Sequence, residues 1–422
     1  MIEAIAAGVR AGTVDPVELA ERALARVGEN CELNAVVHVD PDAARTAGRD
    51  GPLAGIPLLV KEIIEVKGWP HRCGSRVFAD RVAAADAEIV RRARAAGAVL
   101  IGLSHSHEFA YGCTGTSNMA GPCRNPHDPG RMTGGSSSGS AAAVAAGIVP
   151  LALGTDTAGS VRVPAALCGV VGAVPHRGTL PTRGVFPLSV TLDRVGVLTA
   201  SVADARYAVG VLAGTDLPDE PASAPRLGVL ADPELLDCSA EVSDAYRAAL
   251  DRFADAGAWV VEVKPPDWRL LTGTAFDLQG PEAAALHSEL AAPVEDYQPD
   301  VRERLRVASE VPGWRYVRAR DRIPTLNAEL GRLLSTVDAV VFPTVPIVAP
   351  PLDATEAVVA SGRAPVRDLL LRNNRPLNVT DYPALSIPLP SPGLPVGLQL
   401  IAADDPAAFA AAAWVERTLT AG

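Results

Sequence analysis

The chain has 422 residues, 48% of them hydrophobic, and a formal charge of −11. That length can bury a sizeable core, and the composition excludes a disordered or membrane-embedded chain. The acidic balance excludes a nucleic-acid surface as the main working face, so small molecules are the expected partners.

The opening MIEAIAAGVRAG lacks both a basic start and a sustained apolar core. No signal peptide is expected there, and the chain should be cytoplasmic. DPVELAERALARV reads as a helix with Asp15 as N-cap, Pro16 at the first helical position and Glu18 completing a capping box. GPLAGIPLLVKEII follows, an apolar run that contains Lys61. Only Lys61, Lys67 and Lys264 are lysine in a chain with 38 basic residues, so a lysine kept in an apolar run invites a reason. Burial disfavours its ammonium and makes it a candidate base, which arginine could not be. A lysine snorkelling from a strand end, or paired to Glu62, fits the same neighbourhood.

DAEIVRRARAAG is a helix that stops at Gly97, and AVLIGLS is the buried strand after it. His105 and His107 alternate in LSHSHEF, which is strand or edge spacing rather than a metal pair, and no third ligand is in view. The cysteines at 31, 73, 113, 123, 168 and 238 contain no CxxC pair. Neither a disulfide framework nor a zinc site is suggested, and reduced, mostly buried thiols are expected.

Residues 133 to 140 read TGGSSSGS and run directly into AAAVAAGIVPLALG, a helix followed by a strand. A flexible linker does not fit between such neighbours, nor does that apolar stretch span a bilayer. A phosphate loop would need lysine after Gly139, where Ser140 stands. GSSSG formally fits a nucleophile elbow, but the elbow requires a buried strand before it, and NPHDPGRM is turn-forming. Downstream, LGTDTAGSVRVPAALCG turns through a glycine and places Ser160 ahead of a segment able to enter a helix. Consecutive N–H groups at such a turn can converge on an anion, the electrophilic half of acyl transfer.

Residues 213 to 225, AGTDLPDEPASAP, read as a surface excursion, and about 265–335 as helix-leaning and poor in motifs. RLGVL, AWVVEV, DAVVFPT, PALSIPL and VGLQLIA are further strands, SDAYRAALDRFADAG is a helix, and a last helix opens at Asp405 and Pro406. The pattern predicts an α/β fold, a single large domain with a central mixed, mostly parallel sheet covered by helices on both faces.

GIPLLVKEII, EIVRRARAAGAVLIG, EFAYG, RNPHDPGRMTGGSSSGSAAAVAAG, LALGTDTAGSVRVPAALCGVVG and ALSIPLPSPGLPVGLQLIA together resemble the amidase signature family, with a core at about 50–205 of one domain spanning 1–422. The resemblance implies the amidase signature fold and a Ser-cis-Ser-Lys amide hydrolase. In it Lys61 would be the base, Ser136 a bridging serine after a cis peptide bond, and Ser160 the nucleophile. The backbone of Thr157, Ala158, Gly159 and Ser160 would form the oxyanion hole. Its wording is closest to the allophanate- and biuret-hydrolase branch, which implies a small amide or carbamoyl substrate and no metal or organic cofactor. Tyr111, Cys113, Arg183 and Asp381 are the candidate pocket residues. Departures from the family pattern are Glu62 after the lysine, GLS at 102 to 104 and AVPH at 173 to 176. A homodimer is compatible with this reading. The competing readings are the glutaminase subunit of a tRNA-dependent amidotransferase and a catalytically silent binding module on the same fold.

Overall fold

The apolar runs become strands and the amphipathic runs become helices in a computed structural model that describes residues 1–218, 223–290 and 292–421. The strands are β1 Val36–Val39, β2 Pro57–Lys61, β3 Val99–Ser104, a small ribbon of β4 Arg124–Asn125 and β5 Asp128–Met132, β6 Leu151–Asp156, β7 Val171–Val174 and β8 Arg194–Thr199. They continue with β9 Arg226–Leu230, β10 Trp259–Val263, β11 Ala339–Pro343, a second ribbon of β12 Glu356–Val359 and β13 Gly362–Pro365, β14 Ala384–Leu389 and β15 Val396–Ile401. Eleven of them form one mixed sheet, in the order β1-β3-β2-β6-β8-β7-β14-β15-β11-β9-β10.

Side chains alternate across that sheet, as strand geometry requires. Leu151 and Leu153 of β6 pack into one apolar cluster and Ala152 into another. The first cluster is covered by helices Ile2–Ala11, Val202–Ala213, Ala240–Asp255 and Asp405–Thr420. The second is covered by Pro16–Glu29, Ser138–Ala145 and Arg162–Cys168. Along β11 the alternation continues, Ala339 and Val341 joining the first cluster while Val340 and Phe342 pack with the long helices Trp268–Ser288 and Gly313–Leu334. The α/β fold with helices on both faces is therefore as expected.

Strand direction differs from the mostly parallel expectation. Of the ten neighbouring pairs, four are parallel, β2–β3, β2–β6, β9–β10 and β9–β11. The other six are antiparallel: β1–β3 at one edge, and the five consecutive pairs from β6 to β11 that occupy the centre of the sheet. Apolar runs suggested parallel strands because both faces are buried. A central antiparallel strand covered on both faces leaves the same trace in sequence.

Asp15 caps its helix through the Val17 N–H at 2.9 Å, without the reciprocal bond from Glu18 that a capping box would add. The last helix is capped by Asp404, whose carboxylate accepts from Ala407 N–H at 2.8 Å. Three helices, Trp268–Ser288, Pro299–Ser309 and Gly313–Leu334, fill the helix-leaning segment. Part of the expected surface excursion at 213 to 225, residues 219–222, lies outside the described residues.

Candidate active site

Strands β2 and β6 run side by side in the same direction, so their carboxyl ends lie together, the place where open α/β sheets collect ligands. Lys61 is the last residue of β2 and is 0% exposed. Its ammonium nitrogen has three partners, all hydroxyls: Ser136 Oγ at 2.7 Å, Thr155 Oγ1 at 2.8 Å and Ser137 Oγ at 3.0 Å. Burial pulls its pKa from the ordinary lysine value down to about 7, against the opposing charges of Asp156, Asp193 and Glu62. It is neither snorkelling nor paired to Glu62. The Glu62 carboxylate is turned elsewhere, accepting from Asn118 Nδ2 at 2.7 Å and from the N–H groups of Ser106 and Gly74 at 2.9 and 3.0 Å.

The serine-rich block supplies two of those hydroxyls. After the β4–β5 ribbon, which is no buried strand, the chain passes through a cis Gly135–Ser136 peptide and enters the helix Ser138–Ala145. Gly139 lies so close to neighbouring backbone that a Cβ there would stand 2.1 Å from the Ala35 carbonyl oxygen and 2.4 Å from the His105 nitrogen. The glycine of GSSSG therefore serves close packing, not an elbow. Ser137 Oγ donates to the Thr155 carbonyl at 3.2 Å, and Ser140 Oγ to that of Leu153 at 3.0 Å, binding the block to β6. His105 meets Ser138 Oγ through Nδ1 and the Gly121 carbonyl through Nε2, both at 2.8 Å. Since a carbonyl only accepts, Nε2 carries the hydrogen, and burial lowers the imidazole pKa to about 4. His107 bonds Asp300 instead, at 3.0 Å. Among the described residues, no cluster of His, Cys, Asp and Glu could hold a metal ion.

Beyond β6 the chain turns through residues 157 to 160 into the helix Arg162–Cys168. Ser137 N–H donates to the Ser160 carbonyl at 3.0 Å, which ties this turn to the serine block. Asp156, wholly buried, organises the turn. Its carboxylate accepts from Gly159 N–H at 2.9 Å and Val161 N–H at 3.0 Å, and pairs with Arg162 at 2.8 Å. Burial alone would raise its pKa, but the Arg162 guanidinium, the Val161 N–H and Asn378 hold it well below the usual carboxylate range. Arg162 reaches on to Asn378 Oδ1 at 2.6 Å and Gln399 Oε1 at 2.7 Å, so the turn is anchored to the C-terminal third of the chain. Thr157 Oγ1 donates to Asp193 at 2.5 Å.

Of the four N–H groups expected to form an oxyanion hole, that of Gly159 is thus taken by Asp156. Those of Thr157, Ala158 and Ser160 have no acceptor among the described residues. Three donors at one turn are enough to receive an oxyanion.

Ser160, 6% exposed, opens with Thr157 and Ala158 into a narrow cavity. Tyr111 and Cys113 line it. The other two candidate pocket residues do not. Arg183 is 83% exposed on its side chain and pairs with Glu88 at 3.0 Å. Asp381 accepts from Arg177 at 2.7 Å and Asn327 at 3.1 Å, which makes it a brace for the turn before Tyr382 and Pro383. Both had only loop position to recommend them. Residues the sequence reading missed are Thr155 beside Lys61, and Gln279, Arg367 and Arg375 in the cavity. Thr155 could have been found from its place at the end of a strand next to the lysine strand. The others come from helices with no motif.

The family model described as Amidase matches residues 18–405. The chain is 34% identical to AtzE, a subunit of the 1-carboxybiuret hydrolase of Pseudomonas sp. (strain ADP), over 94% of this chain and 93% of that protein. It is also 34% identical to a subunit of the Glutamyl-tRNA(Gln) amidotransferase of Chloroflexus aurantiacus, over 95% of this chain and 92% of that protein. Among solved structures, a crystal structure of an amidase superimposes with a TM-score of 0.94 at 35% identity, covering 99% of each chain.

Proposed function

The chain belongs to the amidase family, and we propose that this amidohydrolase cleaves the C–N bond of a small amide through an acyl-enzyme on Ser160, with Ser136 and Lys61 as its proton relay. The observation that carries the assignment is the Lys61 nitrogen, buried and, among the described residues, met only by hydroxyls. A neutral amine has two N–H donors and one lone pair. Ser137 commits its own proton to the Thr155 carbonyl and so accepts from Lys61. With Thr155 Oγ1 as the second acceptor, the lone pair is left for the Ser136 hydroxyl.

In the forward step Lys61 takes the Ser136 proton, Ser136 takes that of Ser160, and Ser160 Oγ bonds to the amide carbon. The N–H groups of Thr157, Ala158 and Ser160 receive the oxyanion. Returned along the relay, the proton goes to the departing nitrogen, which would otherwise be a poor leaving group. Water then hydrolyses the ester by the same relay, releasing a carboxylic acid and restoring Ser160.

Similarity to the Glutamyl-tRNA(Gln) amidotransferase protein supports a second reading, a glutaminase that works within a complex. Stable co-purification with a different protein chain distinguishes it, whereas the free-standing hydrolase acts alone or as a homodimer. We read the whole chain as one amidase domain. A cytoplasmic location is proposed with it, supported by six free cysteines; no helix among the described residues is long and apolar enough to cross a membrane.

A serine-reactive fluorophosphonate tests the assignment. Labelling should map to Ser160 and stop turnover; modification at another residue in active protein sinks it.

A further inference from the structure

The cavity in front of Ser160 contains an arginine that the protein itself leaves unpaired. Arg375 is 4% exposed, and its guanidinium carbon lies 3.9 Å from the centre of the Phe276 ring. Among the described residues it donates no hydrogen bond and joins no ion pair, and its Nε is buried without a partner. Arg367, on the helix Val366–Arg372, lines the same cavity, and its Nε is likewise buried without an acceptor. The neighbouring Asp368 is exposed and pairs with neither arginine.

Other buried arginines have acceptors for their terminal nitrogens, although the Nε of Arg194 is, like that of Arg375, buried without a partner. Arg162 is bonded to Asp156, Asn378 and Gln399, and Arg194 to the carbonyls of Tyr382, Leu377 and Thr380. Taking a guanidinium out of water without an acceptor is costly, so a buried unpaired one facing a cavity implies an anion that completes it. Burial and the nearby Arg367 bring the Arg375 pKa down to about 9, so it is still charged at neutral pH. No carboxylate of the described residues lines the cavity, although the chain as a whole is strongly acidic. Gln279 and Tyr111 also line it, and their polar ends have no protein partner among the described residues.

We infer that the substrate is an amide carrying a carboxylate, and that Arg375 and Arg367 hold this carboxylate while the scissile carbonyl lies at Ser160. The inference rests on the assignment of Ser160 as nucleophile. A carboxylate fits better than a bulkier anion: its two coplanar oxygens match the guanidinium fork, and the acyl chain must share the same narrow cavity with it. Gln279 and Tyr111 supply further donors to the same group.

The test is ammonia release from matched pairs in which a terminal methyl replaces the carboxylate: malonamate against propionamide, succinamate against butyramide, and glutaramate against pentanamide. In at least one pair the carboxylate substrate should have kcat/KM about 30- to 100-fold higher, the contribution expected of a charge-assisted contact. Arg375→Ala and Arg367→Gln should each pull that ratio toward one. Fluorophosphonate labelling of Ser160 in the same preparations reports whether the site is intact. If Arg375→Ala does not fold, Arg367→Gln and protection of wild-type Ser160 by succinate but not butyrate decide the matter. Equal or better turnover of the neutral amides, an unchanged ratio in the folded variants, or labelled enzyme with no carboxylate amide turned over would each overturn the inference alone. Failure of Ser160 to label would bring down the nucleophile assignment, and this inference with it.

Discussion

Ser137 donates its backbone N–H to the carbonyl oxygen of Ser160 at 3.0 Å, which joins two serine turns that are 23 positions apart in the chain. Each turn is held separately to the sheet, the first through hydroxyl bonds to β6 and the second through Asp156 at the end of β6. Proton relay and oxyanion donors are thereby placed on one strand end.

Ser160→Ala should abolish turnover while leaving the fold intact, because the Ser160 side chain has no hydrogen-bond partner among the described residues. A loss of roughly 10,000-fold or more in kcat is expected. Ammonia release, with near-UV circular dichroism as the folding check, measures it; substantial residual activity would assign attack to another group.

Lys61 must be neutral to accept a proton, and its pKa is about 7. Below that value the amine is protonated, so kcat/KM should rise with pH through neutrality with a slope of one. A pH profile flat across about 5.5 to 8.5 would remove Lys61 as the base. Lys61→Ala should cost roughly 100- to 10,000-fold in rate.

Asp156→Asn removes the charge opposite Arg162, a pair that is buried on both sides. Leaving that guanidinium without its anion should cost about 3 to 5 kcal/mol of stability. Because the same carboxylate holds Gly159 and Val161, kcat should fall in whatever fraction remains folded. Urea denaturation and kinetics on one preparation separate the two effects, and an unchanged midpoint contradicts the proposed anchoring.

Gly139→Ala should push the start of the helix Ser138–Ala145 off the Ala35 and His105 backbone. The strain is expected to cost about 1 to 3 kcal/mol and to lower kcat by displacing Ser136 and Ser137. Thermal melting that matches wild type would mean the neighbouring backbone yields without penalty.

Arg183→Ala is the contrasting case. Its guanidinium is exposed and paired with Glu88 away from the cavity, so neither kcat/KM nor the melting temperature should move. A loss of activity would return Arg183 to the pocket.

Much of the fold was readable locally. Continuous apolar runs and capped amphipathic segments located strands and helices because each signal lies within a few residues, as at Val99–Ser104 and Pro16–Glu29. Strand direction was not readable, since an apolar run such as ALSIPL records burial on both faces and carries no trace of which way its neighbour runs.

The chain's own residues singled out Lys61, as a lysine in an apolar run of an arginine-biased protein, and the two serine turns, as glycine-rich segments leading into helices. Tertiary structure alone decided what those groups touch. Burial of the strand end on which Lys61 stands lowers its pKa to about 7, and its three hydroxyl partners come from segments 75 to 94 residues away. Arg375 and Gln279 reach the cavity, and Arg183 and Asp381 pair elsewhere, because the packing of distant helices and loops sets where a side chain ends, and no local pattern encodes that convergence.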